Sequence, residues 1–215
     1  MVRRLLDAAA EPGLRIYVLM VMRSDYLGDC TQFPDLPERM NASLYLVPRL
    51  RRDQLQRAIE APVGKRIEPS VVQRLLGEVG ADPDQLPRLQ HLLSRMWLAA
   101  KGGRITLAHY TAAGEWKNGL EQHLDEIYEG LYDGLSLPQQ KACRLVFQRI
   151  SEIDRGRAVR RWSTLEQLTA LCGAEAEDVV KRFRREGFLR LSGLHQNIVD
   201  VMHESVLRGW PRLVG

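Results

Sequence analysis

Apolar residues recur at helical spacing through most of this chain, and the period changes mainly near its two ends. Val2 to Ala10 has a short helical pattern closed by the breakers Glu11-Pro12-Gly13. Leu14 to Met22 is apolar almost throughout, which predicts a strand buried on both faces of a parallel sheet. Ser43 to Val47, after the loop and helical turn Tyr26 to Met40, is a second strand candidate. Two such strands do not make a sheet, so the chain is expected to begin inside a domain.

From Leu50 to Gly114 the spacing predicts a small bundle. Arg52 to Ala61 puts Leu55, Ala58 and Ile59 on one face, and Ser70 is a candidate cap for a helix carrying Val71, Leu75, Leu76 and Val79. Pro87 to Ala100 carries Leu89, Leu92, Leu93, Met96 and Trp97, with Pro87 at the helix start, where its missing N–H costs little. Asn118 to Asp133 follows, with Leu120, Leu124, Ile127, Tyr128 and Leu131 on its apolar side.

The remainder reads as a winged helix. Pro138 starts a helix with Ala142, Leu145, Val146, Phe147 and Ile150; Arg157 to Trp162 is a short strand; Ser163 or Thr164 caps Leu165 to Leu171; Glu177 to Glu186 is a third helix. Phe188 to Leu191 and Ile198 to Met202 then flank a turn-rich tip, Ser192 to Asn197. After that strand the period turns helical again at Glu204, with Val206, Leu207 and Trp210 on one face. His203 stands at the corner, a candidate phosphate contact beside a helix start; the alternative is a packed or capping histidine.

Composition narrows the class. An apolar fraction of 45% with 27% charged residues is that of a globular protein, and the longest apolar run, Ile16 to Met22, is too short to span a bilayer. Cys30, Cys143 and Cys172 are odd in number, with no Cys-x-x-Cys, against a disulfide framework or zinc site and in keeping with a reducing cytoplasm. The net charge of +4 permits contact with nucleic acid without requiring it.

Several chemistries are absent from the sequence. No Gly-x-x-x-x-Gly-Lys-Ser/Thr loop occurs, and no apolar strand ending in paired acids precedes Leu14, so the chain alone is expected not to hydrolyse ATP. His203-Glu204 begins like a His-Glu-x-x-His zinc motif, but Leu207 stands where the second histidine is needed. Lys181, Arg182, Arg184 and Arg185 form the densest basic cluster, on the helix that reads DNA in a winged-helix regulator; a solvated face diluted by Glu177, Asp178 and Glu186 is the alternative, with Phe183 pointing inward.

Three segments together carry a resemblance. Met202-His203-Glu204 followed by Ser-Val-Leu-Arg-Gly-Trp-Pro-Arg-Leu resembles the end of the winged helix of STAND NTPases, most of all the bacterial "novel STAND NTPase" branch often found ahead of WD repeats. The apolar run ending in Arg23-Ser24-Asp25-Tyr26 resembles that family's sensor strand, and Leu86-Pro87-Arg88-Leu89 its Gly-x-Pro lid motif, with Ala81-Asp82-Pro83 in place of the glycine-rich signature. The resemblance implies a mainly α chain: a small α/β remnant of a P-loop core over 1–48, a helical lid over 49–115 and a winged helix over 116–215. It implies ATP or ADP as ligand, with Mg only when a P-loop half is present. Arg23 would lie toward the γ-phosphate, Pro87 on adenine, and His203 on the β-phosphate, as the Met-His-Asp corner does in NB-ARC proteins. Implied partners are the P-loop half, downstream repeat or effector domains and, depending on nucleotide, further copies of the chain. Two readings compete with this switch. One is a winged-helix DNA-binding regulator; the other is a helical interaction module in which Arg23, Pro87 and His203 share no site.

Overall fold

The computed structural model describes all residues except 23, 81–84, 130–134, 155, 194–196 and 214–215. Arg23, Ala81-Asp82-Pro83, Leu131 and the wing-tip residues 194–196 therefore lie outside the described residues. The chain divides into two compact units, Met1–Leu50 and Arg51–Gly215.

The first unit holds helix α1 (Val2–Ala9), two 3-10 turns (Ser24–Tyr26 and Gly28–Gln32) and helix α2 (Leu36–Ser43). Leu36 and Cys30 are buried, and the Cys30 thiol lies 3.5 Å from the Met22 sulfur. Leu14 to Met22 and Ser43 to Val47, expected as strands, are not strands. A strand exists through its neighbour's hydrogen bonds, and no described segment of this unit pairs with either. Their side chains accordingly stand in solvent: Tyr17, Leu19 and Val21 are each about nine-tenths exposed, and Tyr45 and Val47 more than three-quarters.

The second unit is built on two apolar clusters. The first gathers α3 (Arg52–Glu60), α4 (Pro69–Glu78), α5 (Gln85–Ala99) and α6 (Leu107–Ala112), with Val71, Leu75, Met96 and Ile105 fully enclosed. Helix α4 starts from Glu68 with Pro69 at its first position, so Ser70 lies inside the helix and is not its cap. A parallel bridge between Ile67 and Ile105 ties the connection before α4 to the one before α6; the Ile105 amide donates to the Arg66 carbonyl at 2.7 Å.

Helix α7 (Glu115–Glu129) passes from one cluster to the other. Trp116 packs on the first, while Leu120, Leu124, Ile127 and Tyr128 belong to the second. Gly119 permits the close approach of α7 to the end of α6 and to α5: a Cβ there would lie 2.7 Å from the Ala113 carbonyl oxygen and 3.3 Å from a Leu92 methyl.

The second cluster is the core of the winged helix. Helix α8 (Leu137–Arg149), with Pro138 in its first turn, leads into a hairpin of β1 (Ser151–Asp154) and β2 (Arg157–Arg160). Then come β3 (Ser163–Thr164), α9 (Leu165–Cys172), α10 (Glu175–Arg185), β4 (Leu189–Ser192), β5 (Ile198–Val201) and the short α11 (Ser205–Arg208). The sheet order is β3-β5-β4, antiparallel throughout. Of the two candidate caps, Ser163 and Thr164, it is Thr164 that caps α9: its hydroxyl accepts from the Gln167 amide at 3.1 Å, and the Gln167 side chain accepts from the Thr164 amide at 3.0 Å. Trp210 is the centre of the core, edge-on to Phe147 and Tyr128, with its indole N–H donating to Asp125 at 2.9 Å. Arg212 ties the same segment to α7 through Asp125 and Glu129 and lies over the Tyr128 ring. The chain is thus mainly α, a helical bundle joined to a winged-helix element. No described helix is long and apolar enough to cross a membrane.

Candidate functional site

His203 occupies the corner after β5, half-buried between Met202, which is exposed, and Glu204, which is buried. The corner forms because β5 ends where its pairing with β4 ends, and Glu204 then enters helical backbone at φ −65°, ψ −19°. The Ser205 amide donates to His203 Nδ1 at 3.1 Å, and the Ser205 hydroxyl lies 3.2 Å from the same nitrogen. An amide only donates, so Nδ1 accepts, and the neutral ring carries its proton on Nε2. Sequence reasoning expected free amides at this helix start as well. Instead the Val206 amide donates to the His203 carbonyl and the Leu207 amide to Glu204, and α11 is four residues long. The amides at the helix start are thus engaged, and the tautomer makes Nε2 the donor nitrogen of the His203 ring. Glu204 and Arg208 form a buried pair at 3.2 Å, and Arg208 also donates to the Ala158 carbonyl of β2, which fastens α11 to the hairpin.

Pro87 stands half-buried in the first turn of α5, in the bundle half, whereas His203 stands in the winged helix. The following Arg88 donates to the Lys117 carbonyl at 3.2 Å and lies over the Trp116 ring, linking this turn to α7. Arg23, the third residue singled out, is outside the described residues. Among the described residues, one open groove of about 500 Å³ lies among Ser70, Arg74, Tyr110 and Glu115, and another of about 450 Å³ among Arg57, Gly64, Lys65 and Pro69. Neither includes Pro87 or His203.

The basic cluster lies on α10. Phe183 is fully buried, as its spacing implied, while Lys181, Arg184 and Arg185 are exposed. The same exposed face begins with Glu175, Glu177 and Asp178, and Lys181 pairs with Glu177 at 2.8 Å. Acidic residues at the amino end of this helix repel the phosphates that a groove-reading helix must approach. Among the described residues no cluster of three or more His, Cys, Asp or Glu is placed to hold a metal ion.

One grouping gave no sequence signal, because its members lie 32 residues apart and match no motif. His91 of α5 and His123 of α7 stack with centroids 5.1 Å apart, their Nε2 and Nδ1 atoms 3.3 Å apart, and both rings pack on Phe188 at the start of the wing. Burial pushes His91 down to about 4, reinforced by His123 and Arg95; burial and then Arg95 push His123 down to about 4. Glu186 lies 3.7 Å from His123 and favours charge there, but its own side chain is 41% exposed and offsets little. A neutral imidazole pair thus sits where bundle and winged helix meet.

In comparison with known proteins, the model of the family Novel STAND NTPase 1 matches residues 1–215. No curated protein matches the chain, and no solved structure does.

Proposed function

Because this chain belongs to the Novel STAND NTPase 1 family, a branch of the signal-transduction NTPases, we propose that it is the lid and winged-helix switch of such an NTPase, closing on a nucleotide held by a P-loop subdomain. In this reading 1–48 are part of the nucleotide-binding core, 49–115 the lid and 116–215 the winged helix. The observation that carries it is the bond from the Ser205 amide to His203 Nδ1, which fixes the proton on Nε2 and makes that nitrogen a donor. A phosphate oxygen only accepts, so the corner fits the β-phosphate of ADP.

When bound, the nucleotide supplies the phosphates whose number distinguishes the two states; Mg belongs with the P-loop half, since the sequence of this chain holds neither phosphate loop nor paired-acid strand. The chain's residues then divide the work. His203 ties the winged helix to the ADP state, Pro87 packs on adenine from the lid, and Arg23 approaches the γ-phosphate. Exchange of ADP for ATP removes the advantage of the closed arrangement, and the winged helix moves away to expose surfaces for assembly with further copies or with downstream effector domains. Three buried free cysteines support a reducing, cytoplasmic setting.

The test joins this chain to a P-loop subdomain and measures ADP and ATP affinities. A charge-assisted hydrogen bond contributes about 1.5 to 3 kcal/mol, so His203→Ala should weaken ADP about tenfold to a hundredfold and ATP less. Pro87→Ala should weaken both nucleotides, and Arg23→Ala chiefly ATP. An unchanged ratio of ADP to ATP affinity in His203→Ala, with the circular dichroism intact, would overturn the role of His203 and leave it a capping residue.

A further inference from the structure

We infer that Arg160 and Arg190, set side by side by Asp200, form a binding site for one phosphoryl group on the outer face of the winged-helix sheet. The strand alternation creates this face. Leu189, Val199 and Val201 are buried in the core and Leu191 packs against it, so Arg190 and Asp200, which are cross-strand partners, point the other way. Asp200 Oδ2 accepts from Arg190 Nε at 3.2 Å and from Nη2 at 2.7 Å. Arg160, at the end of β2, brings Nη1 to 3.6 Å from the same oxygen, close enough to feel its charge but too far for a hydrogen bond.

Depth separates the three groups. The Asp200 side chain is 11% exposed, whereas those of Arg160 and Arg190 are 40% and 44% exposed. The carboxylate therefore lies beneath, and the two guanidiniums lie above it facing solvent. Among the described residues Asp200 Oδ1 is buried without a hydrogen-bond partner, so the carboxylate offers no acceptor outward and acts only by positioning the arginines. Among the described residues Arg160 makes no side-chain hydrogen bond, and Arg190 keeps its Nη1 donors. Two cations over one anion leave a local surplus of one positive charge, with Arg190 Nη2 and Arg160 Nη1 at 2.7 and 3.6 Å from one and the same oxygen.

Guanidinium forks match oxyanions bidentately. A phosphoryl group is tetrahedral and presents several acceptor oxygens, so it takes one fork from each arginine at once; a planar carboxylate has two oxygens to share between them. A nucleic acid would need a track of spaced cations, and the neighbouring helix α10 opens with exposed Glu175, Glu177 and Asp178 instead. The site is built for one phosphoryl group, on inorganic phosphate or on a phosphate monoester. It is independent of the nucleotide switch proposed above, since it uses neither His203 nor a P-loop.

The test is a titration of the intact chain, labelled with nitrogen-15 at arginine, with inorganic phosphate and separately with adenosine monophosphate, against sodium chloride of matched ionic strength. Saturable shifts of the Arg160 and Arg190 Nε–H signals, absent in chloride, are expected. Arg160→Gln leaves the Arg190 to Asp200 bond in place and should weaken phosphate about tenfold or more; Arg190→Gln should do the same where it folds. Equal affinity for the two ligands would assign the phosphoryl group alone as the ligand, and tighter binding of the monophosphate would assign a phosphate monoester. Three results would overturn the inference: Arg160→Gln titrating like wild type, shifts spread over many arginines without saturation, or duplex DNA binding more tightly than phosphate at the same two residues.

Discussion

Replacing His91 and His123 together by glutamine should flatten the acid limb of the chain's stability curve. Well above pH 6.5 both imidazoles are neutral in the folded and the unfolded chain, so they add no pH dependence there. As pH falls below 6.5 the unfolded chain binds protons at these rings while the folded chain, holding both near 4, does not. The unfolded state binds more protons, so stability falls with falling pH, and the effect ends near pH 4 when the folded rings protonate too. Integrated over that window, one such ring costs about 3 kcal/mol. The two are in contact, titrate as a pair and keep some solvent at their edges, so we expect about 3 to 5 kcal/mol for both. Other groups of the chain also titrate in acid, and the informative quantity is therefore the difference between wild type and the double variant. Urea unfolding monitored by tryptophan fluorescence should give stabilities that converge as pH falls from about 7 to about 4.5, at unchanged m-value. Parallel curves would refute the reasoning and mean that protonated rings find enough water or carboxylate at this junction to remain in place.

Thr164→Ala removes the hydroxyl that accepts from the Gln167 amide and should cost about 1 kcal/mol, read as a lower urea midpoint with unchanged m-value. The Cys143 thiol is fully enclosed and burial pushes its pKa well above the usual thiol range, so iodoacetamide at neutral pH should leave it unmodified in the folded chain and alkylate it in urea, as mass spectrometry of the peptides would show. The chain without a P-loop partner should bind ADP or ATP weakly and hydrolyse neither; micromolar binding by calorimetry would contradict this. Its exposed apolar segments, Leu14 to Met22 and Leu44 to Val47, should make it self-associate, and removal of roughly the first 48 residues should reduce the mass seen by light scattering.

Most of the helices were legible because each carries its own evidence: a stripe of period 3.6 on α5, α7 and α10, and a candidate cap, Ser163 or Thr164, ahead of α9. The wing strands were legible for a similar reason, since Leu189 and Leu191 alternate with Arg190. What escaped depends on partners. Leu14 to Met22 has the composition of a buried strand, but composition supplies no neighbour to pair with. The β1 strand, Ser-Glu-Ile-Asp, has too few apolar positions to announce itself, and it forms because β2 lies against it. The His203 corner was visible as a change of period, yet its amide bond to Ser205 and the prior use of the α11 amides are backbone geometry that no side-chain pattern encodes. Arg160, Arg190 and Asp200 become a group only once the register pairs Arg190 with Asp200.

Helix α7 belongs to both apolar clusters, and that sharing bears on how the second unit comes apart. A cut before α7, near Gly114, would take Trp116 from the bundle, and a cut after Glu129 would take Leu120, Leu124, Ile127 and Tyr128 from the winged helix. Neither half is then a free-standing foldon. In hydrogen exchange the central amides of α7 should open only with global unfolding, at the rate of the slowest amides in α5 and α8. A rearrangement that swings the winged helix as a body must accordingly rotate about α7 with that helix intact.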